Sequence, residues 1–213
     1  MMYQGGKAKL AGKVAGRMLG DIVRRGSYVE PFCGACSVAL EVAKYCSDVR
    51  CSDANEWLIH LWNDRSFVPS RISEYDYEVL MNTLPMTSMT AFAGCFLSYS
   101  GSWFAGYARG RDRDFFDEAQ RSLSVYQAGL RDVVFECRDF DYDISDSVIY
   151  CDPPYAGTKE YSVEFNRDAF IERVLRWSLN NVVYVSELWF EVGVVVAEWP
   201  YLGRTERLYK IGL

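Results

Sequence analysis

Two short stretches carry residues whose types and spacing suit chemistry. The first is Cys151-Asp152-Pro153-Pro154-Tyr155, which follows directly on the apolar run Ser147-Val148-Ile149-Tyr150. Neither proline has an N–H and each fixes its own backbone dihedral, so the segment holds carbonyl oxygens stiffly and offers no competing donors. A carboxylate, rigid carbonyls and an aromatic ring then line one spot. That set suits a planar base bearing an amino group: Asp152 and the Pro153 carbonyl each accept one amino hydrogen, while Tyr155 stacks on the ring. A Pro-Pro turn capped by an aspartate accounts for the same residues as plain structure, and these residues alone leave both readings open.

The second stretch is Val29-Glu30-Pro31-Phe32-Cys33-Gly34-Ala35-Cys36, paired with Asp53 at the end of Val49-Arg50-Cys51-Ser52. Gly34 permits a tight turn and close backbone approach to a ligand, and a strand-end acid such as Asp53 accepts hydrogen bonds from a ribose in nucleoside-binding sheets. An ordinary strand-to-helix turn explains the pattern equally well. Cys33 and Cys36 form a lone C-x-x-C; with no second pair and only one histidine, His60, they are expected to be small turn residues, and no metal is expected. The seven cysteines are irregularly spaced, mostly within apolar runs, and are expected to be reduced thiols.

These residues need elements to position them. Leu10, Val14, Met18, Leu19, Ile22 and Val23 recur at three-to-four-residue spacing and predict an amphipathic helix over residues 9–25. Ser27–Val29 reads as a strand, Val38–Tyr45 as a helix, Val49–Ser52 as a strand and Glu56–Trp62 as a helix. The rhythm changes between about Ser66 and Arg113, where helices Glu74–Leu84 and Met89–Leu97 precede the turn-rich YSGSWFAGYARGR. After a helix over Phe115–Leu130 the alternation resumes with strands Val133–Glu136, Ser147–Tyr150 and Val182–Val185, and a helix Asp168–Leu179 before the last. The expectation is an α/β, doubly wound, Rossmann-like sheet built from residues 1–65 and 114–213, with residues 66–113 as a small, mainly helical insertion. Among the insertion's aromatic residues Tyr99, Trp103, Phe104 and Tyr107, packing in a small core is favoured over stacking on bases.

Half of the 213 residues are hydrophobic, enough for a full core. No stretch approaches the roughly 18 apolar residues of a membrane span, and MMYQGGKAKL lacks the apolar region of a secretory signal, so a cytoplasmic protein without a membrane partner is expected. A net charge of −6 argues against phosphate binding by the surface at large. Two basic foci stand against it: Lys7, Lys9, Lys13, Arg17, Arg24 and Arg25 near the start, and Arg109, Arg111 and Arg113 in the Gly-rich stretch. The three arginines and Lys9 are candidate DNA contacts. A solvated run paired with Asp112, Asp114 and Asp117 is the competing account of the arginines.

Taken together, the segments resemble the Dam-type DNA adenine methyltransferases of the D12 class, particularly their short phage and prophage versions. YQGGKAKL is similar to the amino-terminal cofactor motif, YVEPFCGACSVAL to the first sheet motif, SDANEWL to the second and IYCDPPYAGT to the catalytic motif; SYSGSWFAGYARGR and VVYVSE also resemble family segments. The motif order, with cofactor motif first, recognition insertion next and catalytic motif last, resembles the alpha class. The family's F-x-G-x-G turn has Phe32, Gly34 and Cys36 in its places, so the last glycine is replaced. If that position requires a positive φ, Cys36 strains it.

The resemblance implies S-adenosylmethionine as cofactor and double-stranded DNA as partner. It implies that Tyr3, Lys7 and Glu30 contact the cofactor, that Phe32 and Gly34 lie beside its methionine part, that Asp53 meets the ribose hydroxyls and that Asp139 holds its adenine. Asp152 falls on both a cofactor-proximal and a catalytic position, with Pro153, Pro154 and Tyr155. Two acceptors aimed at the amino hydrogens of a flipped adenine localise its lone pair for attack on the donor's methyl group. Asp152 favours adenine, since the cytosine-amino enzymes tend to carry serine and the glutamine methylases asparagine before the two prolines; an amino-methyltransferase acting on cytosine or RNA is the alternative among enzymes. A non-catalytic DNA- or partner-binding module on the same fold remains the alternative from another class.

Overall fold

The computed structural model describes residues 6–154, 165–201 and 203–212. In chain order the elements are α1 (Ala11–Arg25), β1 (Ser27–Glu30), α2 (Ser37–Val42), β2 (Asp48–Asp53), α3 (Glu56–Asn63), α4 (Glu74–Thr83), α5 (Ser88–Phe96), α6 (Phe115–Gly129), β3 (Val134–Cys137), β4 (Val148–Cys151), α7 (Arg167–Trp177), β5 (Val182–Glu187), β6 (Val194–Tyr201) and β7 (Arg204–Ile211). A short 3-10 turn, Tyr99–Gly101, follows α5.

The strands form one sheet in the order β3-β2-β1-β4-β5-β7-β6. The first five are parallel, and β7 runs antiparallel to both β5 and β6. From β1 the chain winds outward to β2 and β3, then returns to the other side of β1 to build β4 and β5. Strand order therefore reverses between β1 and β4, and the crevice beyond their carboxyl ends is where an open sheet of this kind receives a ligand. The parallel part is the doubly wound, Rossmann-like sheet expected from the sequence. The predicted third strand is displaced by one residue, and β6 and β7 were not anticipated at all.

Alternation divides the sheet's side chains between two apolar layers. Val148, Tyr150, Val182 and Tyr184 join one layer with α1, α2, α3, α5 and α6, while Ile149, Cys151, Val183 and Val185 join the other with Phe170, Val174 and Trp177 of α7. Strands β4 and β5 are buried on both faces throughout, which is why they read as apolar runs. Helix α1 buries Ala11, Val14, Ala15, Met18 and Ile22 and ends on Gly26 at φ 74°, whose N–H reaches the Ile22 carbonyl at 2.8 Å. Val23, expected on the apolar stripe, is 68% exposed, because one residue beyond Ile22 lies about 100° around the helix.

The predicted helices of residues 66–113 form α4 and α5. Helix α4 starts in a capping box between Ser73 and Asp76, and Thr87 caps α5. Every residue of α5 except Met89 is buried, and Phe92 and Phe96 share one continuous apolar layer with Leu58 and Trp62 of α3. At Gly94 any Cβ would overlap the Trp103 and Phe104 rings, so the following loop can fold onto α5 only over glycine. Phe104 packs against the core as expected, while Tyr99 is exposed.

Candidate active site

The reversal point gathers side chains from both layers. On the α1 side, residues two apart along a strand share a face, so Tyr28 and Glu30 of β1 stand together, as do Tyr150 and Asp152 at the end of β4. The Tyr28 hydroxyl donates to Glu30 Oε2 at 2.7 Å, and the Tyr150 hydroxyl shares a hydrogen bond with Ser186 Oγ of β5 at 2.8 Å. Lys7, on the segment entering α1, puts its Nζ 2.8 Å from Asp152 Oδ1 and 3.4 Å from Glu206 Oε1 of β7. Both Lys7 and Glu206 are almost fully buried. Burial pulls the Lys7 ammonium down, but Asp152 and Glu206 outweigh it and its pKa lies above the usual lysine value.

Acid dominates this space. Burial pushes the Glu30 carboxyl well above the usual carboxylate range, against the opposing Tyr28 hydrogen bond and with Cys33 and Asp152 adding to the rise. Glu187, at the end of β5, is also raised by burial, against its bonds from the Leu188 N–H and Arg167. Tyr150 is raised by burial and then by Asp152.

The turn after β1 is tied to the end of β2. Asp53 Oδ2 accepts the Gly34 N–H at 2.8 Å and Oδ1 accepts the Asn55 N–H at 2.9 Å, while the Asn55 side chain caps α3. Burial raises the Asp53 pKa even against these two bonds. Gly34 has φ 45° and its carbonyl accepts the Trp62 indole N–H at 3.0 Å. Cys36 also lies in the left-handed region, at φ 58° and ψ 28°, and is completely buried. The position where glycine is replaced is therefore one that favours glycine.

The opposite layer supplies an aromatic wall. Phe32 stacks on Phe140 with ring centroids 5.5 Å apart and meets Phe165 and Phe170 edge-on at 5.9 and 5.4 Å. Asp139 is exposed, and its Oδ1 accepts the Phe140 N–H at 2.6 Å. The neighbouring Arg138 N–H bonds the Asp53 carbonyl at 3.1 Å, so the Asp139–Phe140 segment is anchored to the end of β2.

Of the residues singled out in the sequence, Lys7 meets Asp152, Gly34 meets Asp53, and Phe32 meets the residue after Asp139. Pro153 is buried and Pro154 half-buried. Tyr3 and Tyr155 lie outside the described residues. Lys9, Arg109, Arg111 and Arg113 are exposed, and none of them joins this cluster of hydrogen bonds and ion pairs among the described residues. Sequence reasoning did not find Glu206, Tyr28, Tyr150 or Phe140. A signal for Glu206 exists: in Glu206-Arg207-Leu208 alternation places the acid on the face of a fully buried leucine.

The model of the D12 class N6 adenine-specific DNA methyltransferases matches residues 3–76 and 72–171. The chain belongs to this family. No curated protein matches it in sequence. Solved structures similar to it include yhhF of Escherichia coli, a protein assigned as a methyltransferase, at 10% identity over 94% of this chain and 85% of that one, with a TM-score of 0.41. The rRNA methyltransferase aviRa of Streptomyces viridochromogenes is 11% identical over 93% of this chain and 84% of that one, with a TM-score of 0.42. The architecture rests on the strand order itself.

Membership makes the chain a methyltransferase with S-adenosylmethionine as methyl donor. The residues at the reversal point fit that molecule. Its ammonium group, ribose hydroxyls and sulfonium are donors or cations, which suit the acidic side chains Glu30, Asp53 and Asp152, and the Lys7 ammonium and the Phe32–Phe140 ring pair offer a cation and an apolar face.

A second feature lies outside the sheet. Arg71, Arg109, Arg111 and Arg113 line an open cleft of about 650 Å³ together with Phe115 and Phe116. Arg109 pairs with Glu74, Arg113 Nε with Glu118 at 2.9 Å, and Arg71 with Asp114 at 2.8 Å and Asp117 at 2.5 Å. Arg111 has no ion-pair partner among the described residues. No helix among the described residues is long and apolar enough to cross a membrane.

Proposed function

We propose that this chain transfers the methyl group of S-adenosylmethionine to the exocyclic amino nitrogen of an adenine flipped out of double-stranded DNA. The observation that carries the reading is Asp152 at the carboxyl end of β4, fixed between the buried Lys7 ammonium and the Pro153-Pro154 turn beside the reversal point. The cofactor, when bound, supplies an activated methyl group on a sulfonium. The chain supplies acceptors. Asp152 and the Pro153 carbonyl take one amino hydrogen each, which localises the nitrogen lone pair and stabilises the positive charge that grows there. The Lys7 ammonium, 2.8 Å from Asp152 Oδ1, holds the carboxylate at the strand end where it can accept. Asp53 takes the ribose hydroxyls, Phe32 lies beside the cofactor's methionine part and Asp139 holds its adenine; Tyr155 is assigned the ring-stacking role by its motif alone. Residues 66–113 are assigned to target recognition, and Arg109, Arg111, Arg113 and Lys9 to the DNA backbone.

The test is mass spectrometry of nucleosides from unmethylated duplex DNA incubated with the protein and S-adenosylmethionine. Wild type should yield N6-methyladenine. Asp152→Ala removes a carboxylate partner of the buried Lys7 ammonium, so its fold is checked by circular dichroism; the folded variant should lose about a hundredfold or more in turnover, the usual worth of one preorganised charge stabiliser. Substantial residual activity in Asp152→Ala would remove the assigned mechanism. One observation favours a second reading, a DNA-binding module of little catalytic power: the left-handed, glycine-favouring position of the cofactor turn is held by Cys36. Calorimetry separates the two, since such a module has no need to bind S-adenosylmethionine.

A further inference from the structure

The family match ends at residue 171, yet two side chains from the strand pair β6–β7 reach the segment that enters α1. Glu206 of β7 lies 3.4 Å from Lys7 Nζ, and the Tyr201 hydroxyl of β6 donates to the Gly6 carbonyl at 3.0 Å. Lys7 therefore spans from β7, past β5, to Asp152 at the end of β4. The three charged groups are unequal in their freedom. Glu206 stands on a strand paired on both sides, at Trp199 of β6 and next to the Arg207–Glu187 pair of β5. Asp152 is followed by two prolines. Lys7 alone rides on a short turn, where its carbonyl accepts the Leu10 and Ala11 N–H groups at 2.8 Å each, and its long side chain has the most rotamers to lose.

We propose that Glu206 is a positioning residue for methyl transfer, acting through Lys7: the β6–β7 pair clamps the Gly6–Lys7 segment so that the ammonium holds the Asp152 carboxylate in its accepting orientation. The inference rests on the function proposed above for Asp152. It adds a part of the chain that the family match does not reach. With Glu206 neutral, Lys7 loses its fixed end and pairs with Asp152 in several geometries, so turnover falls while DNA binding is little affected.

A double-mutant cycle on turnover tests this, with Glu206→Gln, Lys7→Met and their combination at saturating S-adenosylmethionine. Glu206→Gln should lower kcat about tenfold with KM for DNA changed less than about threefold, and it should add less than about twofold once Lys7→Met is present. A Glu206→Gln protein with wild-type kcat, or effects that multiply in the double variant, would overturn the proposal, since a general loss of packing does not vanish when Lys7 is removed. The second readout needs no activity: amide hydrogen exchange at Leu10 and Ala11 should speed up at least about fivefold in Glu206→Gln and in Tyr201→Phe, with the amides of α7 unchanged. Unchanged exchange at Leu10 and Ala11 refutes the clamp. If Glu206→Gln does not fold, Tyr201→Phe decides by the same exchange measurement and by a fall in kcat. If wild type makes no N6-methyladenine, the adenine reading fails, and exchange alone then decides whether the clamp exists.

Discussion

The backbone at Cys36 can be tested apart from the chemistry around it. In the left-handed region a Cβ costs roughly 1–2 kcal/mol. Replacing alanine by glycine there removes that cost, but it also frees the unfolded chain by about 0.5–1 kcal/mol and strips one buried methyl worth about 0.8 kcal/mol. The terms largely offset one another, so Cys36→Gly and Cys36→Ala should differ by less than about 0.8 kcal/mol. Both variants lose the same buried thiol, so its packing drops out of the comparison. Ala39, one turn into α2 and equally buried, supplies the contrast. With no strain to relieve, Ala39→Gly should cost about 1.3–1.8 kcal/mol by the same two terms. Urea unfolding of the three variants, read from midpoints at constant slope, is the assay. If glycine at position 36 trails alanine by as much as it does at position 39, the strain argument is wrong. If it does not, calorimetry should find that Cys36→Gly binds S-adenosylmethionine at least as tightly as wild type.

Three further outcomes follow from the site. Glu30 has a folded-state pKa well above its unfolded value, so the stability it contributes is complete below about pH 4.5 and is lost as pH rises through the folded pKa; Glu30→Gln should gain on wild type in thermal unfolding as pH increases from 5 to 9, and parallel curves would contradict the raised pKa. Asp53→Ala leaves the Gly34 and Asn55 N–H groups without their acceptor, at about 1–3 kcal/mol each if they stay buried, and should weaken S-adenosylmethionine binding as well as lower the urea midpoint. Loss of stability with unchanged affinity would reduce Asp53 to a turn former. In the cleft, Arg111→Ala should lower the salt slope of DNA binding by about one unit and leave cofactor affinity alone, whereas Arg109→Ala and Arg113→Ala should do less, because a phosphate must first compete with Glu74 or Glu118. A triple alanine variant with the wild-type slope would end the DNA-contact assignment.

What the sequence disclosed follows from how each element is buried. Strands β4 and β5 are covered on both faces, so the apolar runs Val148–Tyr150 and Val182–Val185 announce themselves. Gly34, Asp53 and Asp152 were legible because strand ends at the reversal point carry turn residues whose chemistry is local. Strand β6 was hidden by the opposite circumstance: it is the edge of the sheet, Val194 and Val195 face solvent, and a shift of register between Val195 and Ala197 breaks its alternation. The contact of Lys7 with Glu206 joins opposite ends of the chain, and no periodicity or spacing rule bears on such a pair. Arg71 was missed for a similar reason, since only the fold brings it beside Arg109 and Arg113.

The sorting of charge between the two regions bears on how one acidic chain can handle a polyanion. Around the reversal point Glu30, Asp152, Glu187 and Glu206 approach one another, with Lys7 and Arg167 as the paired cations. Such a space favours a sulfonium and hydrogen-bond donors and opposes phosphate. The arginine cleft has the reverse preference, and it lies on the loop between α5 and α6 rather than on the strand ends. On the proposed function, the duplex backbone is held at the cleft while an uncharged base alone enters the acidic site. The few kcal/mol needed to unstack that base are then balanced against leaving its phosphates where the protein is positive. This division makes a testable distinction between the two regions: added salt should weaken DNA binding through the arginines while leaving the affinity for S-adenosylmethionine, set among half-buried and buried acids, nearly constant.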